Sequence, residues 1–324
     1  MSQSQVSFVL IPGFSLVAFS CAIDALRGAN LVLDKQFYDW ESLSPEGNSV
    51  FSSSDIAVPT KGLGISAPSD LIAICGGVSS HVYQDATLTR WLHEKAKDGQ
   101  RIGAISDGSF IAAQAGLFDK VPSTIHWRCQ EAYREKYPQL DVRASMIEIS
   151  PNRFSCAGGT ASLDLMLHFI REEHGSEVVS LIAQNFFHDT IRDGTREQHL
   201  TNAFRIAGRN PVLSEAVLQM ESNLEQPLNI AEIADHIRIS RRQLDRIFKK
   251  LMNRSPQAFY MDLRLTRASG LLLQTSMSVS EIAVGCGFQT ASHLGLNFQK
   301  KYGETPVAYR KSHNSPYEDG ISGS

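Results

Sequence analysis

The sequence predicts an α/β domain, with a mostly parallel, flavodoxin-like sheet and helices on both faces, followed by an all-α domain with two helix-turn-helix motifs. Two observations predict this division. Short apolar runs alternate with amphipathic helical patterns over the first 190 residues, whereas the pattern beyond residue 210 is helical throughout. The charge balance also changes: residues 1–209 carry five more acidic than basic side chains, and residues 210–324 carry two more basic than acidic ones.

Composition excludes several classes of protein. A chain of 324 residues is long enough for two domains, and 42% hydrophobic with 20% charged residues is typical of a globular protein. The five cysteines are scattered without a C-x-x-C pair, which argues against a disulfide framework or a zinc site. The apolar stretch 6–22 is interrupted at Pro12 and has no basic residue before it, unlike a signal peptide or a membrane span. We therefore expect a cytoplasmic protein without a metal, a cofactor or a membrane partner.

The predicted elements of the first domain alternate in type. We expect strands at residues 6–11, 71–75, 102–105 and 146–149, and helices at residues 18–29, 88–97, 110–117 and 161–171. Ligands of such sheets lie outside the carboxyl ends of the strands, so polar residues that follow the strands are candidates for a binding site.

Composition also predicts the domain limits. We expect the first domain at residues 5–190 and the second at residues 211–312. Residues 191–210 are charged and only weakly periodic, which favours a linker. The last segment, 313–324, is rich in serine, glycine and asparagine, and we expect it to be disordered.

The region after residue 229 shows the pattern of a helix, a turn and a second helix. Ser240 precedes the second helix and Gln243 follows three positions later, which is a capping box. Leu244 and the apolar residues at helical spacing after it face the core, so the basic residues between them point outward. A cationic outer face is typical of a helix-turn-helix that enters a major groove of DNA, although basic runs also occur on ordinary solvated helices.

The same pattern recurs further along the chain. A short helix is predicted from Val279, a turn at residues 285–288, and another helix from Thr290. Ser240 and Thr290 are fifty positions apart, with a helical segment between them. Two recognition helices joined in this way could occupy successive major grooves on one face of DNA, about 34 Å apart.

The motifs SRRQLDRIF and GCGFQTASHL, with the closing run FQKKYGETPVAYR, resemble the DNA-binding domain of AraC/XylS regulators over residues 211–310. The resemblance implies base and phosphate contacts from both recognition helices. With the cap Ser240 and the outward Lys249, the candidate DNA-binding residues are Ser240, Arg241, Arg242, Gln243, Arg246, Lys249, Thr290, Ser292, His293 and Asn297. Gly295 and Leu296 stand where this family often has a serine and a basic residue, which removes an expected phosphate contact.

The segment AISDG at residues 104–108 lies between a predicted strand and a predicted helix. It differs by one residue from the G-x-S-x-G elbow that presents the nucleophilic serine of hydrolases. His126 lies on the next element and could be the base that such a serine needs, so a hydrolase using Ser106 and His126 is one hypothesis. The alternative is a serine-glycine turn that only ends the strand.

With the runs DLIAICGG, IHW and CAGGTASLDLML, this elbow resembles the PfpI/ThiJ superfamily, whose fold is that of a class I glutamine amidotransferase. Enzymes of that superfamily carry a reactive cysteine where this chain has Ser106, so thiolate chemistry is not implied. A PfpI-like domain joined to an AraC-type domain resembles the GlxA family of regulators, in which the former active site serves as a sensor pocket. The resemblance implies these effector-binding residues: Asp24, Gly76, Gly77, Ser106, Asp107, His126, Trp127 and Thr160.

The chemistry of these residues suits a zwitterionic effector. Backbone N–H groups after Gly76 and at the start of the helix after the elbow can hold a carboxylate. Trp127, with Asp107 or Asp24, can hold a cationic group. Structural explanations are also open: Trp127 would pack in the core, and Asp24 would pair with Arg27.

We therefore expect a ligand-responsive, sequence-specific transcriptional regulator, most similar among GlxA-type proteins to those that answer glycine betaine, carnitine or arginine. It would bind promoter DNA as a homodimer and act with RNA polymerase as an activator of a catabolic operon for a small amine or amino-acid-like zwitterion. Two other hypotheses stay open: an amidase or hydrolase with an accessory DNA-binding domain, and a redox-sensing or chaperone-like PfpI protein. The absence of an elbow cysteine separates both from a regulator.

Overall fold

The computed structural model describes residues 3–195, 198 and 210–313, and the chain forms two compact units that divide after residue 198. The first unit has the predicted α/β architecture, and the second is helical, as predicted. None of the described helices is both long and apolar enough to cross a membrane.

The first unit is built on a mostly parallel sheet. Its strands are β1 (Ser4–Leu10), β2 (Tyr38–Ser44), β3 (Val50–Phe51), β4 (Ala57–Val58), β5 (Lys61–Gly62), β6 (Leu71–Cys75), β7 (Arg101–Ile105), β8 (Ile147–Ser150) and β9 (Arg153–Cys156). Seven of them form one sheet of order β5-β2-β1-β6-β7-β9-β8, in which the β8–β9 pair is antiparallel and the other pairs are parallel. The central strand β6 is buried along its whole length, because helices cover both faces of the sheet.

Helices fill two apolar layers against this sheet. They are α1 (Leu16–Val32), α2 (Ala86–Lys97), α3 (Ser109–Gln114), α4 (Gln130–Lys136) and α5 (Ala161–Asn185). One apolar cluster joins α1 and α5 to the sheet, for example through Phe8, Phe19 and Ile170, and another joins α2, α3 and α4 to it through residues such as Ile74 and Leu92. The carboxyl ends of β6 and β7 therefore lie between two well-packed layers, and the elbow follows β7 directly.

Several elements of the first unit differ from the prediction: strands β2, β3, β4, β5 and β9 and helix α4 were not predicted, and helix α5 is longer than predicted. Strand β2 was not predicted, because charged residues interrupt its apolar pattern. Glu41 of this strand is nevertheless buried, and it accepts hydrogen bonds from Ser7 Oγ (3.1 Å) and Lys61 Nζ (3.2 Å). Helix α5 runs to Asn185 rather than to residue 171, with one non-helical residue, Gly175, at φ 81° inside it.

The first residues of the predicted linker hydrogen-bond to the first unit. Ile147 N–H donates to Gly194 O (3.0 Å), and Gln198 N–H donates to Ala144 O (2.8 Å). Residues 196, 197 and 199–209 of the predicted linker lie outside the described residues, as do residues 314–324 of the predicted tail. The domain limits as such stay predictions.

The second unit contains two successive helix-turn-helix motifs. Its described helices are α6 (Pro211–Ser222), α7 (Ile230–His236), α8 (Arg241–Met252), α9 (Pro256–Gln274), α10 (Val279–Gly285), α11 (Ala291–Tyr302) and α12 (Pro306–His313). Helices α6, α7 and α8 and the start of α9 share one apolar cluster, whereas the rest of α9 shares another with α10 and α11. Each motif therefore has its own core, and α9 belongs to both.

Candidate nucleic-acid interface and effector site

The first motif has the local geometry that the sequence predicts. Ser240 caps α8, where its Oγ accepts a hydrogen bond from Gln243 N–H (3.2 Å). Arg238, in the turn before it, has a positive φ of 58°, which lets the chain reverse between α7 and α8. Leu244 and Phe248 are fully buried, so α8 is fixed by one face and presents the other to solvent.

The exposed face of α8 is cationic. The six residues predicted to contact DNA from this helix are all exposed: Ser240, Arg241, Arg242, Gln243, Arg246 and Lys249. Arg242 and Arg246 lie opposite the buried seam, and neither forms an ion pair with another described residue. Their charges are therefore available to phosphates or guanine edges.

The second motif repeats this geometry with different side chains. Thr290 caps α11 by accepting a hydrogen bond from His293 N–H (3.1 Å), and Leu294 and Phe298 are fully buried. Of the four predicted contact residues here, Thr290, Ser292 and His293 are exposed. Asn297 is half-buried, and its Nδ2 donates to His293 O (2.8 Å), so its amide is partly occupied within the helix.

A buried arginine that sequence reasoning missed holds the second turn in place. Arg264 on α9 is only 8% exposed, and its guanidinium donates to Cys286 O (2.8 Å) and Gly287 O (2.5 Å). The same group lies over the ring of Phe288, 4.2 Å from its centroid. The only signal in the sequence was a basic residue at a core-facing position of a helix, which is unusual unless the charge is fully paired.

The end of β7 forms the predicted elbow. Ser106 follows the strand directly, has a positive φ of 57° and is 6% exposed. A short 3₁₀ turn, Ser106–Gly108, then leads into α3. Gly158 packs so closely that an added Cβ would lie 2.5 Å from Ser106 Cβ, so this backbone crossing requires glycine. The strand–elbow–helix arrangement is therefore confirmed, with a serine where the related enzymes carry cysteine.

Asp107 is the most unusual charged group at the elbow. Its Oδ1 is buried and has no hydrogen-bond partner among the described residues. Burial raises the pKa of Asp107 from 3.8 to about 6, and a hydrogen bond with the Cys129 side chain opposes this shift only partly. A desolvated carboxylate oxygen without a partner is suited to bind a cation or a hydrogen-bond donor of a ligand.

His126 does not pair with the elbow serine. Its Nδ1 accepts a hydrogen bond from Arg128 N–H (3.4 Å), and no hydrogen bond joins it to Ser106 within the described residues. Burial, with the nearby charge of Arg128, lowers the pKa of His126 to about 4. The Arg128 guanidinium also lies 5.2 Å from the centroid of the Trp127 ring, so this chain already supplies a cation to the ring that we expected to hold the effector.

The other predicted effector residues have partners within the chain. Asp24 forms an ion pair with Arg27 (2.7 Å), which is the structural alternative considered above. Gly77 N–H donates to Ser80 Oγ (2.9 Å), and Gly76 N–H donates to Ile105 O (3.2 Å). These two amides are therefore engaged, and a ligand carboxylate would have to displace Ser80 or bind elsewhere.

Thr160 connects the elbow region to the segment that leaves this unit. Its Oγ1 accepts a hydrogen bond from Arg192 Nη2 (2.7 Å), and Arg192 also pairs with the fully buried Asp164 (2.5 Å). The Gln198 side chain donates to Ile125 O (2.8 Å), next to His126. Residues 191–195 also line an open cleft of about 840 Å³ beside β8 and α5, with Asp164 and Arg192 in its wall.

Comparison with known proteins agrees with this architecture. Residues 233–312 match a family described as a helix-turn-helix domain. The chain is 35% identical to the HTH-type transcriptional regulator GbdR of Pseudomonas aeruginosa over 306 residues, which is 94% of this chain and 83% of GbdR. It is 30% identical to the HTH-type transcriptional regulator GlxA of Rhizobium meliloti, over 96% of this chain and 97% of GlxA.

A crystal structure of a ThiJ/PfpI family protein from Pseudomonas syringae superposes with a TM-score of 0.52 at 18% identity, and covers 68% of this chain and 88% of that one. This likeness confirms the predicted fold of the first unit, and the two regulators match along nearly the whole chain. The chain thus belongs to the GlxA- and GbdR-like family of AraC-type, DNA-binding transcriptional regulators.

Proposed function

We propose that this regulator binds promoter DNA in the cytoplasm as a homodimer, with α8 and α11 in successive major grooves, and that its first unit senses a small zwitterion at the Ser106 elbow without catalysing a reaction. In this proposal it acts with RNA polymerase as an activator of a catabolic operon for that zwitterion or a related amine. The observation that carries the proposal is the combination of an exposed cationic α8 with an elbow that has a desolvated carboxylate but no nucleophile–base pair.

The electrostatics of α8 support DNA as the partner. Arg242, Arg246 and Lys249 project from a helix whose opposite face is buried, so they gain contacts from a phosphate backbone without unpacking the motif. Cations that neutralise phosphates release counterions, and binding through them weakens steeply as the salt concentration rises. The fifty-residue repeat of caps and buried residues supports a second, equivalent contact by α11.

The chemistry around Asp107 supports a ligand with a cationic group. Its unpartnered oxygen is desolvated, and an ammonium or quaternary amine beside it would relieve the cost of burying the charge. Arg128 is next to Cys129 in the chain, and the Cys129 side chain hydrogen-bonds to Asp107, which makes the Arg128 guanidinium the candidate for the carboxylate of the same ligand. We therefore assign the cation to Asp107 and the carboxylate to Arg128, and Trp127 to the wall between them.

The arrangement does not support hydrolysis. A serine nucleophile needs a hydrogen-bonded base, whereas His126 accepts a hydrogen bond from its own turn. With a pKa of about 4, His126 is also a weak base. A substrate panel that compares the wild type with Ser106→Ala tests this part of the proposal, because hydrolysis that the substitution abolishes would overturn it.

The exit segment offers a path by which binding at the elbow reaches the second unit. Arg192 and Gln198 precede the segment that joins the two units, and they hydrogen-bond to Thr160 and Ile125. An effector that moves either loop must stretch or break these bonds. The effector would therefore shift the equilibrium between the state with these hydrogen bonds formed and the state with them broken.

The effector is tested by thermal shift against amino acids and quaternary amines, followed by reporter dose–response curves. A true effector stabilises the protein in a concentration-dependent way. Asp107→Ala should raise the midpoint of the response about tenfold or more, since a charge-assisted contact contributes about 1.5–3 kcal/mol. Trp127→Ala should also weaken the response, whereas Asp24→Ala, whose carboxylate is already paired, should leave the midpoint unchanged. Wild-type midpoints in both Asp107→Ala and Trp127→Ala would refute the site.

A further inference from the structure

The recognition helices α8 and α11 share their cap and their buried residues but differ in the side chains that they expose. Position by position, fifty residues apart, Ser240 matches Thr290 as cap, and the buried Leu244 and Phe248 match Leu294 and Phe298. The two helices therefore present equivalent positions to solvent. A difference between their exposed side chains is a difference in what they read.

The position that points furthest from the core carries Arg246 on α8 and Leu296 on α11. At 3.6 residues per turn, about 100° each, Leu296 lies about 180° around the helix from the middle of the seam between Leu294 and Phe298. It is 72% exposed, which is unusual for a leucine at the centre of a surface otherwise made for binding.

Two of the helical neighbours of Leu296 lack the charges of their counterparts on α8, whereas the exposed Lys300 keeps the charge of Lys250. Ser292 stands where α8 has Arg242, and Gln299 stands where it has Lys249. Gly295 has open space around it, with no described atom within 4 Å of an added Cβ. On the side of Ser292 and Gly295 the surface is uncharged and has no bulky side chain, so a base-pair edge can approach Leu296 closely there, while Lys300 provides the nearest cation for a phosphate.

We infer that Leu296 contacts the C5-methyl group of a thymine, so that α11 reads a T·A pair at the place where α8 presents an arginine. Among the groups on the major-groove edges of the bases, the thymine methyl is the apolar one, and an apolar side chain is its complement. The inference rests on the proposal that α11 enters a major groove. It predicts an operator with one subsite read through charge and one read through a methyl group.

The experiment begins with a footprint of the full-length protein on the promoter of a gene that it controls. Each thymine in the protected region is then replaced in turn by deoxyuridine, which removes only the methyl group. Binding is measured for the wild type, for Leu296→Ala and for Val284→Ala. Val284 on α10 is a matched control, because it is an apolar residue of the same motif with 64% exposure but lies outside the recognition helix.

We expect that deoxyuridine weakens wild-type binding about fourfold at one or more thymines of the subsite that α11 contacts. This is the effect expected for one buried methyl-sized group. That sensitivity should disappear in Leu296→Ala and persist in Val284→Ala. Leu296→Arg should also abolish it and should make binding more sensitive to salt. Because the side chain is mostly exposed, circular dichroism should show these variants folded.

The outcomes separate this inference from the proposed function. A footprint without any thymine whose methyl group matters, or a methyl effect of the same size in Leu296→Ala, overturns the role of Leu296 and leaves DNA binding by both helices standing. A footprint confined to a single subsite, or no footprint, overturns the proposal that α8 and α11 bind together.

Discussion

Asp107 makes the stability of the first unit depend on pH in a direction opposite to that of most carboxylates. Burial raises its pKa from 3.8 to about 6, so the folded protein binds the proton more tightly than the unfolded chain does. The stabilising effect of the bound proton is fully present below pH 3.8 and is lost as the pH rises through 6. Asp107→Asn, which has no charge to bury at any pH, should remove this dependence.

The magnitude follows from the pKa change. A difference of about two pH units corresponds to about 3 kcal/mol at 1.36 kcal/mol per unit, and we expect about 2–3 kcal/mol because Asp107 keeps some contact with solvent. The free energy of unfolding of Asp107→Asn, minus that of the wild type, should therefore rise by this amount between pH 4 and pH 7.5. His126, whose pKa is lowered, destabilises the fold as the pH falls, but it is present in both proteins and cancels in the difference.

Urea unfolding followed by tryptophan fluorescence measures this difference for the first unit alone, because Trp40, Trp91 and Trp127 all lie in it. Any constant cost of the asparagine side chain shifts the two curves equally at every pH and leaves the slope unaffected. The exposed Asp98→Asn controls for the loss of one negative charge. A difference between Asp107→Asn and the wild type that stays constant from pH 4 to pH 7.5 would show that Asp107 is not desolvated, and the cation site would lose its main support.

Three further predictions concern DNA binding, the second motif and the exit segment. Arg242→Ala and Arg246→Ala should each weaken promoter binding without lowering the melting temperature, at a cost of about 1–3 kcal/mol confined to one base pair if the arginine contacts a guanine; an equal loss on every DNA sequence would make the contact one with phosphate. Arg264→Ala should lower the free energy of unfolding of the second unit by about 2–4 kcal/mol, because the buried carbonyl groups of Cys286 and Gly287 lose their donors; an unchanged thermal melt would contradict this. Gln198→Ala removes side-chain hydrogen bonds to Thr124, Ile125 and Ser145, and should reduce the amplitude of the effector response in a reporter while effector binding, measured by calorimetry, is retained; a full response would exclude this segment as the path.

Much of the fold could be predicted because its signals are local. The run Leu71–Cys75 is apolar at every position, and it forms a strand with the bounds that were predicted. Strand β2 could not be found in the same way, because Glu41 forms an ion pair with Lys61 from another strand and accepts a hydrogen bond from Ser7 of a third. A sequence shows the acid, but it does not show which distant residues will pair with it.

The same distinction between local and long-range signals applies to the residues of the candidate site. The elbow at Ser106 and the caps Ser240 and Thr290 follow from residues within a few positions of one another, and the structure has them where the sequence predicts. The roles of Arg264 and Gln198 could not be predicted, because their partners lie more than twenty positions away. The effector residues carried over from the resemblance stay predictions, and the partners of Asp24 and Gly77 within the chain make Asp107 the better candidate of the set.

The separate cores of the two helix-turn-helix motifs bear on how target sequences diverge between relatives. A substitution on α11 leaves the packing of α8 unaltered, and free-energy changes at such distant positions add. One half of an operator can therefore change while the other half keeps the protein on its promoter. A variant such as Leu296→Arg would then still be held on its promoter by α8. Duplication of the motif thus allows related regulators to acquire new target promoters gradually. A DNA-binding domain with a single core would have to change its whole target sequence in one step.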